Sequence, residues 1–266
     1  MSEAAMGLDG IRRLGAGERV LLIDAKKRRY LVTLVEGGEF HSHAGFVPHD
    51  KLIGQEEGVV VTSTRNARYT AFRPTLSDFV LKMPRGAQVI YPKDLGPMLL
   101  LADVFPGAHV LESGVGSGAL SMTLLRAGAT VTGYELRADF AARARHNVEA
   151  FLGPEASNRY TVEERDCYEG IDLTGIDRLI LDLPEPWQVV AHAERALRPG
   201  GILVAYTPSI TQAAQLRRGL DESGFEMAET LEVLHRTWHI DGQSVRPDHR
   251  MVAHTGFLTH ARLLRS

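Results

Sequence analysis

The 266-residue sequence contains a single cysteine, Cys167, which excludes an internal disulfide and suits a reducing compartment better than secretion. It has no apolar run near the roughly 20 residues of a membrane span, and its first residues lack the basic and apolar blocks of a secretory signal. These absences point to a cytoplasmic protein with no membrane partner. No internal repeat or low-complexity tract is present, which sets aside solenoid and tail architectures. A surplus of one charge is also missing: the formal net charge is -3, so bulk electrostatics announce no polyanionic partner. The basic residues are instead clustered, at Lys26 to Arg29, at Lys82, Arg85 and Lys93, and from Arg246 to Arg250. Arginine predominates over lysine, which suits bidentate phosphate contacts, and nucleic acid stays open as a partner.

The length allows one large α/β domain with a small companion. Residues 1 to 16 read as a frayed leader. From about Gly17 to Arg73 run short alternating segments, Arg19 to Ile23, Tyr30 to Val35, Val59 to Thr62 and Tyr69 to Phe72, broken by glycine, asparagine and charged turns. That pattern predicts a small β domain. Leu76 to Met83 turns helical, and beyond it strands and helices alternate. Strands are expected at 108–112, 131–135, 160–163, 177–183 and 201–206, and helices at 119–126 and 138–151, the second stopped by Gly153-Pro154. This order predicts an α/β, Rossmann-like, doubly wound and mostly parallel sheet over residues 81–266, preceded by the small β domain over 1–80.

In such sheets ligands bind beyond the carboxyl ends of the strands, where glycine lets backbone approach and a helix N-terminus offers free N–H groups. Glu112-Ser113-Gly114-Val115-Gly116-Ser117-Gly118, followed by Ala119, occupies that place. Its spacing differs from Gly-x-Gly-x-x-Gly, and a leading carboxylate suits the sulfonium of S-adenosylmethionine better than the pyrophosphate of NAD. Glu135 ends the next strand about 20 residues on, where a carboxylate can accept from ribose hydroxyls. Arg137 either flanks that ribose or begins the following helix. Asp166 follows the third strand and can accept from an adenine amino group, while Cys167 beside it reads as a small core residue. Asp182-Leu183-Pro184-Glu185-Pro186-Trp187 closes the fourth strand with a carboxylate, two stiffening prolines and an aromatic stacking face, or is mere turn punctuation. His41, His43 and His49 lack a matching Cys/His set, so no metal site is expected, and hydrogen bonding or RNA contact is the better account.

With these residues assembled, the chain resembles the bacterial and archaeal tRNA adenine-N1 methyltransferases, which modify adenosine 58 in the T-loop. The resemblance covers most of the chain and rests on Gly38 to His43 with His49-Asp50, Met83 to Gly86 running into Gln88 to Asp94, the Asp182 to Trp187 motif, and Val245 to Pro247 with His254 to Leu258. Where that family usually has glycine, Ala253 stands before the His-Thr pair. The resemblance implies a homotetramer whose small β domain helps grip tRNA. It also implies a catalytic pair, Asp182 and Tyr91, and a cofactor pocket of Gln88, Glu112 to Ala119 (with Gly114, Gly116, Ser117 and Gly118), Glu135 and Asp166; Asp182, Arg137 and Cys167 are counted as cofactor-binding with them. Two other readings stand beside it: a methyltransferase of the same fold acting on a small molecule or an adenine amino group, and a non-catalytic tRNA-binding subunit.

Overall fold

The structure is a computed structural model that describes residues 12–86 and 88–265. The chain divides into two compact units, one ending at Met83 and the other beginning at Pro84.

In the first unit, β1 (Arg19–Asp24), β2 (Arg29–Thr33), β3 (Glu39–Ser42), β4 (Gly45–Pro48), β5 (Val60–Thr62) and β6 (Arg68–Phe72) precede helix α1 (Leu76–Lys82). A four-stranded antiparallel sheet runs in the order β2-β1-β6-β5, and β3 and β4 form a separate hairpin. Alternation explains the sheet: Val20 and Leu22 turn inward with Leu34, Val47, Val61 and Tyr69, each worth roughly 1.5–3 kcal/mol on full burial. Tyr30, Phe40 and Tyr69 close this core with ring centroids 5.2 to 6.3 Å apart. Helix α1 opens on a capping box in which the Thr75 hydroxyl accepts from the Asp78 N–H and the Asp78 carboxylate accepts from the Thr75 N–H. The leader expected over residues 1 to 16 lies partly outside the described residues; within them, Leu14 is buried in this core and its N–H donates to the Gln55 carbonyl. Residues 12 to 16 are therefore part of the domain. The β3/β4 hairpin was not expected from sequence, because four-residue strands carry too few alternations to register.

The second unit contains α2 (Pro92–Leu101), β7 (His109–Ser113), α3 (Ala119–Arg126), β8 (Thr130–Glu135), α4 (Ala138–Leu152), α5 (Pro154–Ser157), β9 (Tyr160–Glu164), β10 (Ile176–Leu181), α6 (Val190–Ala196), β11 (Leu197–Thr207), α7 (Ile210–Asp221), β12 (Phe225–Glu232), β13 (Trp238–Asp241), β14 (Ser244–Pro247) and β15 (Phe257–Leu263). Its sheet has seven strands in the order β12-β15-β11-β10-β7-β8-β9. The five strands read from sequence pair in parallel, and β15 inserts antiparallel between β11 and β12. Both additional strands break the rules that make a strand legible. Strand β12 shifts register between Glu226 and Glu229, with Met227 at φ 56°, so its alternation is interrupted. In β15, Thr259 is fully buried, where its hydroxyl is within 2.9 Å of that of Thr230.

Candidate active site

Strand order reverses direction at β7, with β8 and β9 on one side and β10 and β11 on the other. The loops after β7 and β10 diverge there and leave a crevice. Two backbone hydrogen bonds extend pairing past the strand ends: the Asp182 N–H donates to the Ser113 carbonyl at 2.9 Å, and the Gly114 N–H to the Tyr134 carbonyl at 3.0 Å. They seat the glycine loop against Asp182. Gly114 has φ +86°, and a Cβ there would stand 2.1 Å from the Asp182 carbonyl oxygen. No other residue fits that position.

Beyond this junction opens a cleft lined by Gln88, Glu112, Gly114, Gly116, Ser117, Ala119 and Asp182, all singled out from sequence, together with Val89, Ile90, Val115 and Leu120. Val115 belongs to the expected loop; Val89, Ile90 and Leu120 were not assigned to the pocket, since nothing in their spacing separates a pocket wall from core. Helix α3 begins at Gly118 without a side-chain cap, which leaves its first N–H groups for a ligand. The Ser117 hydroxyl is buried without a partner among the described residues. An orphaned donor beside an uncapped helix end fits the polar groups of a bound amino acid. Asn147, also unforeseen, fastens the loop from α4: fully buried, it donates to the carbonyls of Ser117 at 3.0 Å and Pro84 at 3.1 Å.

The carboxyl groups differ in environment. Glu112 is buried and accepts from the Ser121 hydroxyl at 2.6 Å, which in turn accepts from the Tyr160 hydroxyl at 2.9 Å. Burial pushes Glu112 up to about 8; the Ser121 hydrogen bond opposes this, and the charges of Asp182 and Glu135 add to it. Burial thus favours the protonated form of this carboxyl more than in an exposed glutamate. Glu135 instead ties the loop to β8, accepting from the Gly116 N–H at 2.9 Å and the Arg137 N–H at 3.0 Å. Asp182 is half-buried, its carboxylate has no hydrogen-bond partner among the described residues, and burial followed by the Glu135 charge pushes it up to about 7.

The other residues named from sequence lie outside the cleft lining. Arg137 begins α4; its guanidinium pairs with Asp139 at 3.0 Å and lies 3.9 Å from the centre of the Phe140 ring. Asp166 accepts from the Tyr168 N–H at 2.9 Å in a tight turn after β9. Cys167 sits in the core, where burial pushes its thiol up to about 11 and leaves it unreactive. Tyr91 is half-buried and forms the N-cap of α2, its carbonyl accepting from Asp94 at 2.8 Å and Leu95 at 3.1 Å. Trp187 is half-buried and packs on one side against the hydrophobic core. In the first unit the three histidines have separate partners: His41 pairs with Glu39 at 3.0 Å, His43 contacts Arg28 at 3.2 Å, and buried His49 accepts from the Val35 N–H at 3.0 Å.

A family model described as tRNA methyltransferase complex GCD14 subunit matches residues 70–246. The chain belongs to this family. A second model, described as TrmI-like N-terminal, matches residues 13–61. The tRNA (adenine(58)-N(1))-methyltransferase TrmI of Thermus thermophilus is 40% identical over 248 residues, which span 91% of this chain and 96% of the relative. A Methanocaldococcus jannaschii relative, named for both adenine 57 and adenine 58, is 33% identical over 91% of this chain and 94% of its own. Among solved structures, an S-adenosylmethionine-dependent O-methyltransferase from Thermotoga maritima superposes with a TM-score of 0.91 at 30% identity, over 100% of this chain and 97% of that one. The tRNA (m1A58) methyltransferase TrmI of Aquifex aeolicus gives 0.84 at 27% identity, over 96% and 100%. The likeness thus extends over nearly the whole length of this methyltransferase chain and of these relatives.

Proposed function

We propose that this chain transfers a methyl group from S-adenosylmethionine to N1 of adenosine 58 in the T-loop of tRNA. The observation that carries the reading is the carboxylate of Asp182, which has no hydrogen-bond partner among the described residues and stands in the same cleft as the glycine cradle. S-adenosylmethionine supplies an electrophilic methyl group on a sulfonium when bound. Gln88, Glu112 and the segment from Gly114 to Ala119 hold it, with Glu135 bracing the loop and Asp166 and Cys167 near the base. Adenine N1 already carries an available lone pair, so the protein needs to align more than to deprotonate. The product ring is cationic. Asp182 accepts a hydrogen bond from the adenine N6 amine and stabilises the positive charge as it develops, while Tyr91 orients the base. The target base must first leave its stack, at a cost of a few kcal/mol that phosphate contacts offset.

The small β domain supplies part of that grip. Lys26, Lys27, Arg28, His43 and Arg65 gather at one end of it: Arg28 contacts His43, and the Arg65 guanidinium donates to the His43 carbonyl at 3.3 Å. The active form is a homotetramer, a reading supported by the β13/β14 hairpin, which exposes Trp238, Ile240 and Val245. Light scattering is expected to return four times the 29.2 kDa chain mass; a monomer across micromolar concentrations refutes the assembly.

The decisive functional test uses unmodified tRNA transcripts. Nucleoside mass spectrometry should find 1-methyladenosine after incubation with protein and cofactor, and none when adenosine 58 is replaced by guanosine. A 2′-O-methylated or N6-methylated product would overturn the choice of acceptor atom.

A further inference from the structure

Two sequence blocks, Gln88 to Asp94, of which only Gln88 to Ile90 line the cleft, and His254 to Leu258, meet in the second unit. Asp94 is fully buried, and its carboxylate accepts from the Lys93 ammonium at 2.8 Å and from the Thr255 hydroxyl at 2.7 Å. Lys93 also donates to the Val233 carbonyl at 2.6 Å, and its side chain is only 4% exposed. A buried pair of this kind, with further hydrogen bonds to its members, holds geometry firmly, because losing one partner strands a charge.

Thr255 is held from its other side as well. The Tyr206 hydroxyl donates to the Thr255 carbonyl, and a Cβ at Gly256 would stand 2.4 Å from the Tyr206 ring. His254 bridges Glu232 at 2.8 Å and the Pro208 carbonyl at 2.9 Å. Burial, and further the charges of Asp94, Asp182 and Tyr91, push the Tyr206 hydroxyl up to about 12. Tyr206 lies one residue past the Ala205–Leu181 pair of β11 and β10, and so beside Asp182, and it reaches Asp94 through Thr255. Asp94 lies three residues beyond Tyr91, and its N–H closes the first turn of α2 on the Tyr91 carbonyl.

We propose that Thr255, acting through Asp94, is a positioning residue for Tyr91: the segment before β15 locks the first turn of α2 and so fixes the approach of the Tyr91 ring to the acceptor base. The assignment rests on the role given to Tyr91 above. Loss of the Thr255 hydroxyl loosens that turn without touching the glycine cradle.

The test is a double-mutant cycle on the full chain, with Thr255→Val, Thr255→Ser, Tyr91→Ala and the Tyr91→Ala/Thr255→Val double variant. Turnover and KM on unmodified tRNA, cofactor affinity by calorimetry and melting temperature are measured for each. Thr255→Val should lower kcat roughly tenfold, with cofactor affinity within about twofold, since small misplacements cost rate before binding. Thr255→Ser should recover most of the loss. In the Tyr91→Ala background the valine should cost less than about twofold, because the group it positions is gone. Should Thr255→Val fail to fold, Tyr206→Phe, which frees the Thr255 carbonyl, replaces it in the cycle. A wild-type kcat in the folded variant, or the same loss in both backgrounds, overturns the proposal. Wild-type turnover in Tyr91→Ala instead removes the reading of Tyr91 on which it rests.

Discussion

Replacing Asp182 with alanine is expected to lower turnover on unmodified tRNA by about 10²- to 10³-fold, the usual loss when a preorganised group facing developing charge is removed. Cofactor affinity should change far less, because the cradle from Gly114 to Ala119 and its Glu135 and Asn147 braces stay in place. The loss should depend on pH. Burial, then the Glu135 charge, pushes the Asp182 carboxyl up to about 7, so below that pH it holds a proton and accepts poorly from the adenine amine. The sign follows directly: kcat should rise with pH through about 7 and level off above it, and Asp182→Asn should lose that ascending limb. Stopped-time assays from pH 5.5 to 9 on wild type and both variants measure this. Near-normal turnover in Asp182→Ala, or a flat wild-type profile, would remove Asp182 from the reaction.

The second large effect belongs to the junction beneath the site. Gly114→Ala should destabilise the second unit by on the order of 3 kcal/mol or more, since it combines a left-handed backbone with a methyl group driven into backbone. The added Cβ meets the Asp182 carbonyl oxygen at 2.1 Å and its carbonyl carbon at 2.9 Å, neither of which can swing aside like a flexible side chain. Against a typical stability of roughly 5–15 kcal/mol this is a large fraction. Cofactor binding should disappear with it, because moving Asp182 also moves the cleft wall. Gly116→Ala is the comparison: at φ +55° it is strained, but a Cβ there finds nothing within 4 Å. It should cost only about 1 kcal/mol in stability. Urea unfolding of the two variants gives the comparison, and equal midpoints would show that the contact with Asp182 is not what requires glycine.

Much of this architecture was written locally. Strands β7, β10 and β11 carry apolar runs, β8 and β9 alternate, and helices α3 and α4 of clear period stand between β7, β8 and β9, so hydrophobic pattern and punctuation suffice to find them. The glycine loop is legible for the same reason: a strand, a cluster of glycines and a helix start lie within a dozen residues. Strands β12 and β15 were not legible, since a bulge at Met227 interrupts one and buried Thr259 disguises the other. Their placement depends on partners, not on their own composition.

Side-chain assignments divide along the same line. Residue type and position at the strand ends marked Glu112, Glu135 and Asp182 as carboxyls of one site, and the sequence by itself determined which loop and which strand ends form it. Only the tertiary structure decided their surroundings: Glu112 turns to Ser121 and burial raises its pKa, Glu135 serves the loop backbone, and Asp182 alone of the three is left without a partner among the described residues. It also decided that Trp187 rests partly on the core and that Thr255 reaches Asp94 across 161 positions of chain. Burial and hydrogen-bond partners set the charge and direction of a polar group, and both are supplied by residues remote in sequence, which no local pattern can specify.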